Sequence, residues 1–252
     1  MTDQETPLVR YAVADAVATI TLDSPHNRNA LSRRLVTELS GHLERADGDD
    51  RVKVVLIRAE DRVFCSGADL AEASTEGMEV GARRIMALQR QILALDKPVL
   101  TRAVGAVRAG GIGIVAASDV AIAGTGATFA LTEVRLGLAA AIISLTVHSR
   151  MHPRAAALTT LGGEVFSGRQ AASYGLVTTA VPEEEVDAAL AQVCASLVSG
   201  TAQGLRESKR ILNADLVGRL DEHGEELAAL SARLFASDEA REAMAAFLNR
   251  RR

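Results

Sequence analysis

Glu133 stands in the segment Phe129-Ala130-Leu131-Thr132-Glu133-Val134-Arg135-Leu136-Gly137, a carboxylate in mostly apolar surroundings. Desolvation raises the proton affinity of such a group, which can then give or take a proton near neutral pH. The plainer account is a salt bridge to Arg135 or another surface arginine, and taken alone that account is the stronger. Two glycine-bearing loops offer complementary chemistry. Gly105-Ala106-Val107-Arg108-Ala109-Gly110-Gly111-Ile112-Gly113 is not a P-loop, because no Gly-Lys-Ser/Thr follows, and it is not G-x-G-x-x-G. It is a turn whose backbone can approach a ligand closely, running into an apolar helix whose free N–H groups suit a developing negative charge. Ser66-Gly67-Ala68-Asp69 is a second small-residue loop after a strand, able to present another N–H. Each loop alone has a structural explanation: a tight strand-to-helix turn for the first, an Asp69 N-cap for the second. Two converging N–H donors, however, make an oxyanion hole. His148 and His152 have the i, i+4 spacing of a metal pair, but no HExxH glutamate lies between them and Pro153 follows at once. They read as solvent-facing or helix-terminal histidines.

The elements that must position these residues alternate early and turn helical late. Leu8 to Val13 and Val17 to Leu22 read as strands joined by a turn at Ala14 to Ala16, with a loop from Asp23 to Asn27. Ser32 caps a helix to about Ala46, with Leu35, Leu39 and Leu43 on one face. Strands follow at Val52 to Ile57, Val99 to Val104, Val120 to Ala123, Thr128 to Ala130 and Leu176 to Val181. Helices fit Val80 to Leu95, Ile142 to Met151, Pro153 to Leu161, Glu183 to Leu197 and Gly204 to the end. The pattern predicts a compact α/β core with a helical C-terminal section, and the shortness of its segments predicts no long, regular parallel sheet. No exact internal repeat and no low-complexity linker is visible.

Composition excludes several function classes. The 252 residues carry a net charge of −4, no Trp, five Phe and two Tyr, which argues against a nucleic-acid stacking platform. Cys65 and Cys194 are too few and too distant for a disulfide scaffold. The polar N-terminus has no apolar signal core, and no run approaches the roughly 18 residues needed to span a bilayer. The expectation is a soluble cytoplasmic protein with no membrane or nucleic-acid partner.

In combination these segments resemble the enoyl-CoA hydratase/isomerase (crotonase) family across nearly the whole chain. Ser24-Pro25 with Asn29-Ala30-Leu31-Ser32 is similar to its first CoA loop, and Val63 to Leu70 to its F-x-x-G-x-D-[LI] motif. Gly105 to Asp119 resembles the N-G-x-x-x-G-G-G-x-x-L-x-x-x-x-D segment, and Phe129 to Gly137 the F-x-x-x-E-x-x-x-G segment. Phe166-Ser167-Gly168 with Gly175-Leu176-Val177, and the tail from Ala240 to Arg251, match two later motifs. The resemblance implies an α/β crotonase-like ββα spiral core over residues 1–195. A helical C-terminal oligomerisation section over 196–252 would build a homotrimer or a dimer of trimers. It further implies an acyl-CoA thioester as substrate and no cofactor or metal, coenzyme A being part of the substrate. Glu133 would be the catalytic acid/base, and the N–H groups of Ala68 and Gly110 the oxyanion hole. Ala30, Ala68, Asp69, Leu70 and Arg250 would hold coenzyme A, Arg250 from a neighbouring subunit.

One departure bears on the reaction. The family's first hydratase glutamate falls at Gly113, where there is no side chain. Members with a single glutamate include double-bond isomerases and bacterial hydratases resembling methylglutaconyl-CoA hydratase, and Glu133 to Ala139 with Ile142-Ile143-Ser144 is more similar to the latter. The expected activity is therefore hydration of a short or branched enoyl-CoA. The alternatives are enoyl-CoA isomerisation, an acyl-CoA-binding pseudoenzyme with Glu133 tied to Arg135, and, further off, a thioester hydrolase or decarboxylase. Two C-terminal stripes, Leu227-Leu230-Leu234 and Met244-Phe247-Leu248, would lie in the subunit interface; in a monomer they would simply cap the core.

Overall fold

The computed structural model describes residues 6–69, 72, 75 and 77–249. An N-terminal hairpin, β1 (Val9–Ala14) and β2 (Val17–Leu22), is followed by helix α1 (Arg33–Asp47), whose N-cap Ser32 accepts a hydrogen bond from the Leu35 N–H at 3.3 Å. Three strand–strand–helix units come next. The first is β3 (Val54–Ala59), β4 (Val63–Cys65) and α2 (Met78–Ala94). The second is β5 (Val99–Ala103), β6 (Ala106–Arg108) and α3 (Gly110–Ala117). The third is β7 (Val120–Gly124), β8 (Thr128–Ala130), a 3-10 turn at Glu133–Leu136, and α4 (Ala141–Arg150). After α5 (Pro153–Gly162), the short β9 (Phe166–Ser167), α6 (Gly168–Ser173) and β10 (Thr179–Val181), the chain is helical: α7 (Val186–Val198), α8 (Ala202–Phe235) and α9 (Asp238–Asn249).

The first strand of each unit enters one sheet and the second strand enters another. The larger sheet has the order β1-β2-β3-β5-β7-β10 and the smaller β4-β6-β8-β9. This makes the fold a mixed α/β architecture that winds through three similar turns, although no repeat is visible in the sequence. The expectation of no long, regular parallel sheet is corrected here. From β2 onward all neighbours in the larger sheet run parallel. Its strands have only three to six residues, but a sheet's breadth comes from the number of strands that pair, which segment length does not report.

Both faces of the larger sheet are covered, as a parallel sheet requires. One face buries Ile20, Leu22, Val55 and Ile57 against Leu35, Leu39 and Leu43 of α1. The other buries Val54, Leu100 and Ile122 against Val186, Leu190 and Cys194 of α7. The C-terminal section is tied down by a buried cation. Lys209 of α8 is 3% exposed. Its Nζ pairs with Asp119 Oδ2 at 2.8 Å and donates to the carbonyls of Ile92 and Lys97 at 2.8 and 2.9 Å. Asn213, one turn on, donates to Asp119 Oδ1 at 2.9 Å. The pairing and the satisfied protons offset part of the desolvation cost of burying Lys209, which still holds its pKa below the usual lysine value. The single helix expected from Gly204 onward is two helices, because Ser237 caps α9 by accepting the Ala240 N–H at 3.2 Å.

Candidate active site

The three residues singled out for chemistry lie just beyond the carboxyl ends of three adjacent strands. β4 ends at Cys65, three residues before Ala68; β6 ends at Arg108, two before Gly110; β8 ends at Ala130, three before Glu133. β4, β6 and β8 are neighbours and parallel. Adjacent strands lie ~4.8 Å apart, so the segments carrying Ala68, Gly110 and Glu133 leave the smaller sheet side by side at one end, the end where open α/β sheets place their ligands.

The two donor loops touch. A Cβ built on Gly111 would lie 2.6 Å from the Cys65 Cβ, and one on Gly110 2.7 Å from Leu31 Cδ1. Only glycine lets the first turn of α3 approach the β4 loop this closely. Among the described residues, neither the Ala68 nor the Gly110 N–H donates a hydrogen bond within the protein, and Ala109, the N-cap of α3, gives no side-chain cap. Such uncapped N–H groups at a helix start suit an anionic oxygen.

The loop containing Ala30 is stitched to the same place. Leu31 N–H donates to Gly67 O at 2.8 Å and Ser66 N–H to Arg28 O at 3.1 Å. Buried Asn29 fixes the loop, accepting from Ser24 N–H at 2.7 Å and donating to Val63 O at 2.9 Å. Ala30 is 5% exposed beneath it. Asp69 is drawn inward, accepting the Glu72 N–H at 3.2 Å and the Asn27 amide at 3.4 Å, so its carboxylate has the capping role that the plain reading gave it. Leu70 and Arg250 lie outside the described residues, as do the side chains of Phe247 and Leu248. A cavity of about 20 Å³ beside Ala68 is walled by Leu31, Asp69, Met78, Arg84 and Ile85. A larger groove of about 770 Å³ between α1 and α2 has neither a converging donor pair nor Glu133 in its walls, so size alone does not mark the reactive place.

Glu133 sits in the 3-10 turn that Gly137 closes in the left-handed conformation at φ 69°. Its Oε2 is buried with no hydrogen-bond partner among the described residues. Burial raises the carboxyl pKa from 4.5 to about 7, opposed only by a bond from its own backbone N–H. Arg135 does not neutralise it: that guanidinium pairs with Glu164 at 2.5 Å and reaches Gly162 O at 3.3 Å. The plain salt-bridge account is thus not what the fold builds. Helix α9 packs on the same turn, where Ala240 is fully buried and a Cβ on Gly137 would come within 3.1 Å of its Cα.

The place beside Gly113 is occupied. A Cβ there would lie 2.6 Å from Ile143 Cγ2 and 3.0 Å from Gln89 Oε1. Gln89 is fully buried; it accepts from Thr146 Oγ1 at 2.6 Å and donates to the carbonyls of Ile142 and Ile85 at 2.8 and 3.2 Å. Sequence reasoning passed over this residue, although a glutamine among Ile85, Leu88 and Ile92 on an apolar helical stripe was a visible signal. His148 is exposed with Nε2 3.4 Å from Thr160 Oγ1, and exposed His152 is the N-cap of α5. Among the described residues no group of three or more metal-ligating side chains forms.

Comparison with known proteins points to one family. A family model described as enoyl-CoA hydratase/isomerase matches residues 12–252. A Rhodobacter capsulatus protein named "Probable enoyl-CoA hydratase" is 30% identical over 247 residues, covering 96% of this chain and 95% of its own. A Bacillus subtilis protein of the same name is 30% identical over 250 residues, covering 97% and 96%. The crystal structure of an enoyl-CoA hydratase from Mycobacterium avium matches with a TM-score of 0.91 and 45% identity over 97% of each chain. The motifs, the two-sheet winding and a family match over almost the whole length lead to one assignment: the chain belongs to the enoyl-CoA hydratase/isomerase family.

Proposed function

We propose that the protein hydrates short- or branched-chain 2-enoyl-CoA thioesters in the cytoplasm, with Glu133 as its one catalytic carboxylate. The observation that carries this reading is the buried Glu133 carboxyl, whose Oε2 has no partner among the described residues, at the same end of the smaller sheet as the unpaired Ala68 and Gly110 N–H groups. The thioester oxygen accepts from both N–H groups. As negative charge grows on it, each donor stabilises the transition state by about 3–4 kcal/mol. Ionised Glu133 takes a proton from water as the oxygen adds at Cβ. The resulting enolate then collects a proton at Cα from the now neutral Glu133, so one carboxyl group serves as base and acid in turn. Backbone at Ala30, Ala68 and Asp69, with Leu70 and Arg250, holds the coenzyme A portion, and no further cofactor takes part. The cavity beside Ala68 holds about one water.

A second reading is double-bond isomerisation, in which Glu133 removes a Cα proton and returns it at Cγ. The filled space at Gly113 favours it, because one carboxylate suffices there and no second one holds water. A panel of enoyl-CoA esters separates the two. Loss of the conjugated enoyl absorbance with crotonyl-CoA or methylglutaconyl-CoA, and a product heavier by one water, is the expected result. Absorbance gain with a 3-enoyl-CoA and no water addition would replace hydration with isomerisation; binding without turnover would leave only an acyl-CoA-binding protein.

Residues 196–252 are proposed to drive assembly into a trimer or a dimer of trimers, around half-buried Leu227, Leu230 and Leu234, and to bring Arg250 to a neighbour's coenzyme A phosphate. Light scattering is expected to give three or six subunits at micromolar concentration, and a monomer there would sink the assembly. Removing residues 250–252 should weaken CoA-ester binding and flatten its decline with salt; unchanged affinity in an intact oligomer would make those arginines a solvated end.

A further inference from the structure

The amines and thiols of this chain are all withdrawn from its surface. Only three of its 28 lysine and arginine residues are lysine: Lys53, Lys97 and Lys209. Each places its ammonium on carbonyls in or just beyond the last turn of a helix. Lys97 Nζ donates to Ala46 O and Asp49 O, both at 2.6 Å, at the end of α1. Lys209 Nζ, besides its pair with Asp119, donates to Ile92 O and Lys97 O at the end of α2. Lys53 Nζ donates to Val198 O and Gly200 O at 2.9 and 3.1 Å, at the end of α7. Helix C-termini leave carbonyls without partners and carry partial negative charge, so hydrogen bonding and charge both hold an ammonium there. Both cysteines are buried as well. Burial pushes the Cys65 thiol up to about 12 and shifts Cys194 in the same direction. The other basic side chains of this set are arginines, whose guanidinium groups stay protonated.

Acyl thioesters are electrophiles. A neutral amine attacks the carbonyl carbon; the C–N bond forms, the C–S bond breaks, and coenzyme A leaves as the thiol. An enoyl thioester also takes a thiolate at Cβ, with a proton added at Cα. We propose that the three lysine caps and the burial of both thiols make the folded chain refractory to covalent modification by acyl- and enoyl-CoA. This rests on the acyl-CoA reading for the identity of the electrophile. Burial also lowers the pKa of Lys97 and Lys209, which by itself favours the reactive neutral amine. Access decides the other way. Lys209 is almost wholly enclosed, and half-buried Lys53 and Lys97 must each release two carbonyls before a lone pair can turn to solvent. Reaction at any of the three therefore waits on a local opening of a helix end.

Peptide mapping by mass spectrometry tests this on the full chain, folded and unfolded in urea, at mildly alkaline pH. Acetyl-CoA, which has no double bond to hydrate, probes the amines. N-ethylmaleimide, which adds a thiolate as an enoyl group does, probes the thiols. Two variants, Arg154→Lys and Arg169→Lys, put a lysine at exposed positions on α5 and α6. Acetylation of Lys53, Lys97 and Lys209 should be at least about tenfold slower in the folded than in the unfolded chain, as a reaction gated by local opening requires. Cys65 and Cys194 should react only after unfolding. The lysine introduced in each variant should react in the folded protein about as fast as the native lysines do in urea. Folded and unfolded rates that match at any native lysine, or a thiol that reacts in the folded chain, would overturn the proposal. Introduced lysines that stay unmodified would overturn it too, since uncapped surface amines would then be just as inert. These adducts are read without turnover. A protein that resists acetylation and fails to hydrate any enoyl-CoA would therefore sink the hydratase reading and leave this inference standing.

Discussion

Glu133→Gln is expected to lower kcat for enoyl-CoA turnover by about 10²–10⁴, the range of a lost general acid–base contribution, while CoA-ester affinity stays nearly unchanged. Glutamine keeps the shape of the side chain and removes the ionisable proton, so the substitution isolates proton transfer from packing. The raised pKa adds a pH signature. The reaction starts from ionised Glu133, so kcat/KM should fall as pH drops below about 7, by up to tenfold per unit, and this limb should vanish in the glutamine variant. Stability should move the other way. A carboxyl whose folded pKa lies above its unfolded value of 4.5 binds its proton more tightly when folded. Its favourable contribution is complete below pH 4.5 and is lost as pH rises through about 7. Glu133→Gln, neutral throughout, should therefore gain stability over the native protein above pH 7 and little at pH 4.5, as thermal melts at the two pH values would reveal. Undiminished turnover in Glu133→Gln would remove Glu133 from the mechanism; turnover lost together with binding would make it a packing residue.

Much of this site was legible in the sequence because its chemistry depends on residue types at short, fixed offsets. Ala68, Gly110 and Glu133 each follow a strand by two or three residues, and the motif spacing around each survives reading along the chain. What joins them is less legible. β4, β6 and β8 have three residues each, too few to reveal a two-residue alternation. The segment Gly105 to Gly113 reads as one turn, yet it contains β6 and the start of α3. The threefold winding is hidden for the same reason, since it repeats the order of elements and not their residues. The surroundings of Gln89 were missed as well. Gln89 was absorbed into a hydrophobic stripe, and its partners on α4 lie more than fifty residues away.

The second large effect is expected at Gly113, where the family resemblance puts a first glutamate. Gly113→Glu should lower both stability and hydration instead of restoring a two-carboxylate site. The first atom of any side chain there would be 2.6 Å from Ile143 Cγ2 and 3.0 Å from Gln89 Oε1, distances no Cβ tolerates unless its neighbours move. Overpacking of that kind costs about 1–3 kcal/mol. If Gln89 yields, the buried Thr146 hydroxyl keeps only the Ile143 carbonyl, at 3.0 Å, and the Ile142 carbonyl loses the Gln89 amide, which adds about 1 kcal/mol. If Ile143 yields, the first turn of α4 shifts, and that turn follows the Glu133 segment by only a few residues. Either route disturbs the acid/base geometry. Gly113→Ala separates the steric cause from the charge: it should already capture most of the loss in melting temperature, and Gly113→Glu combined with Gln89→Ala and Ile143→Ala should recover part of it. A rise in crotonyl-CoA hydration in Gly113→Glu alone, with melting unchanged, would mean that the wall formed by Gln89 and Ile143 gives way freely and that this pocket still accepts two carboxylates.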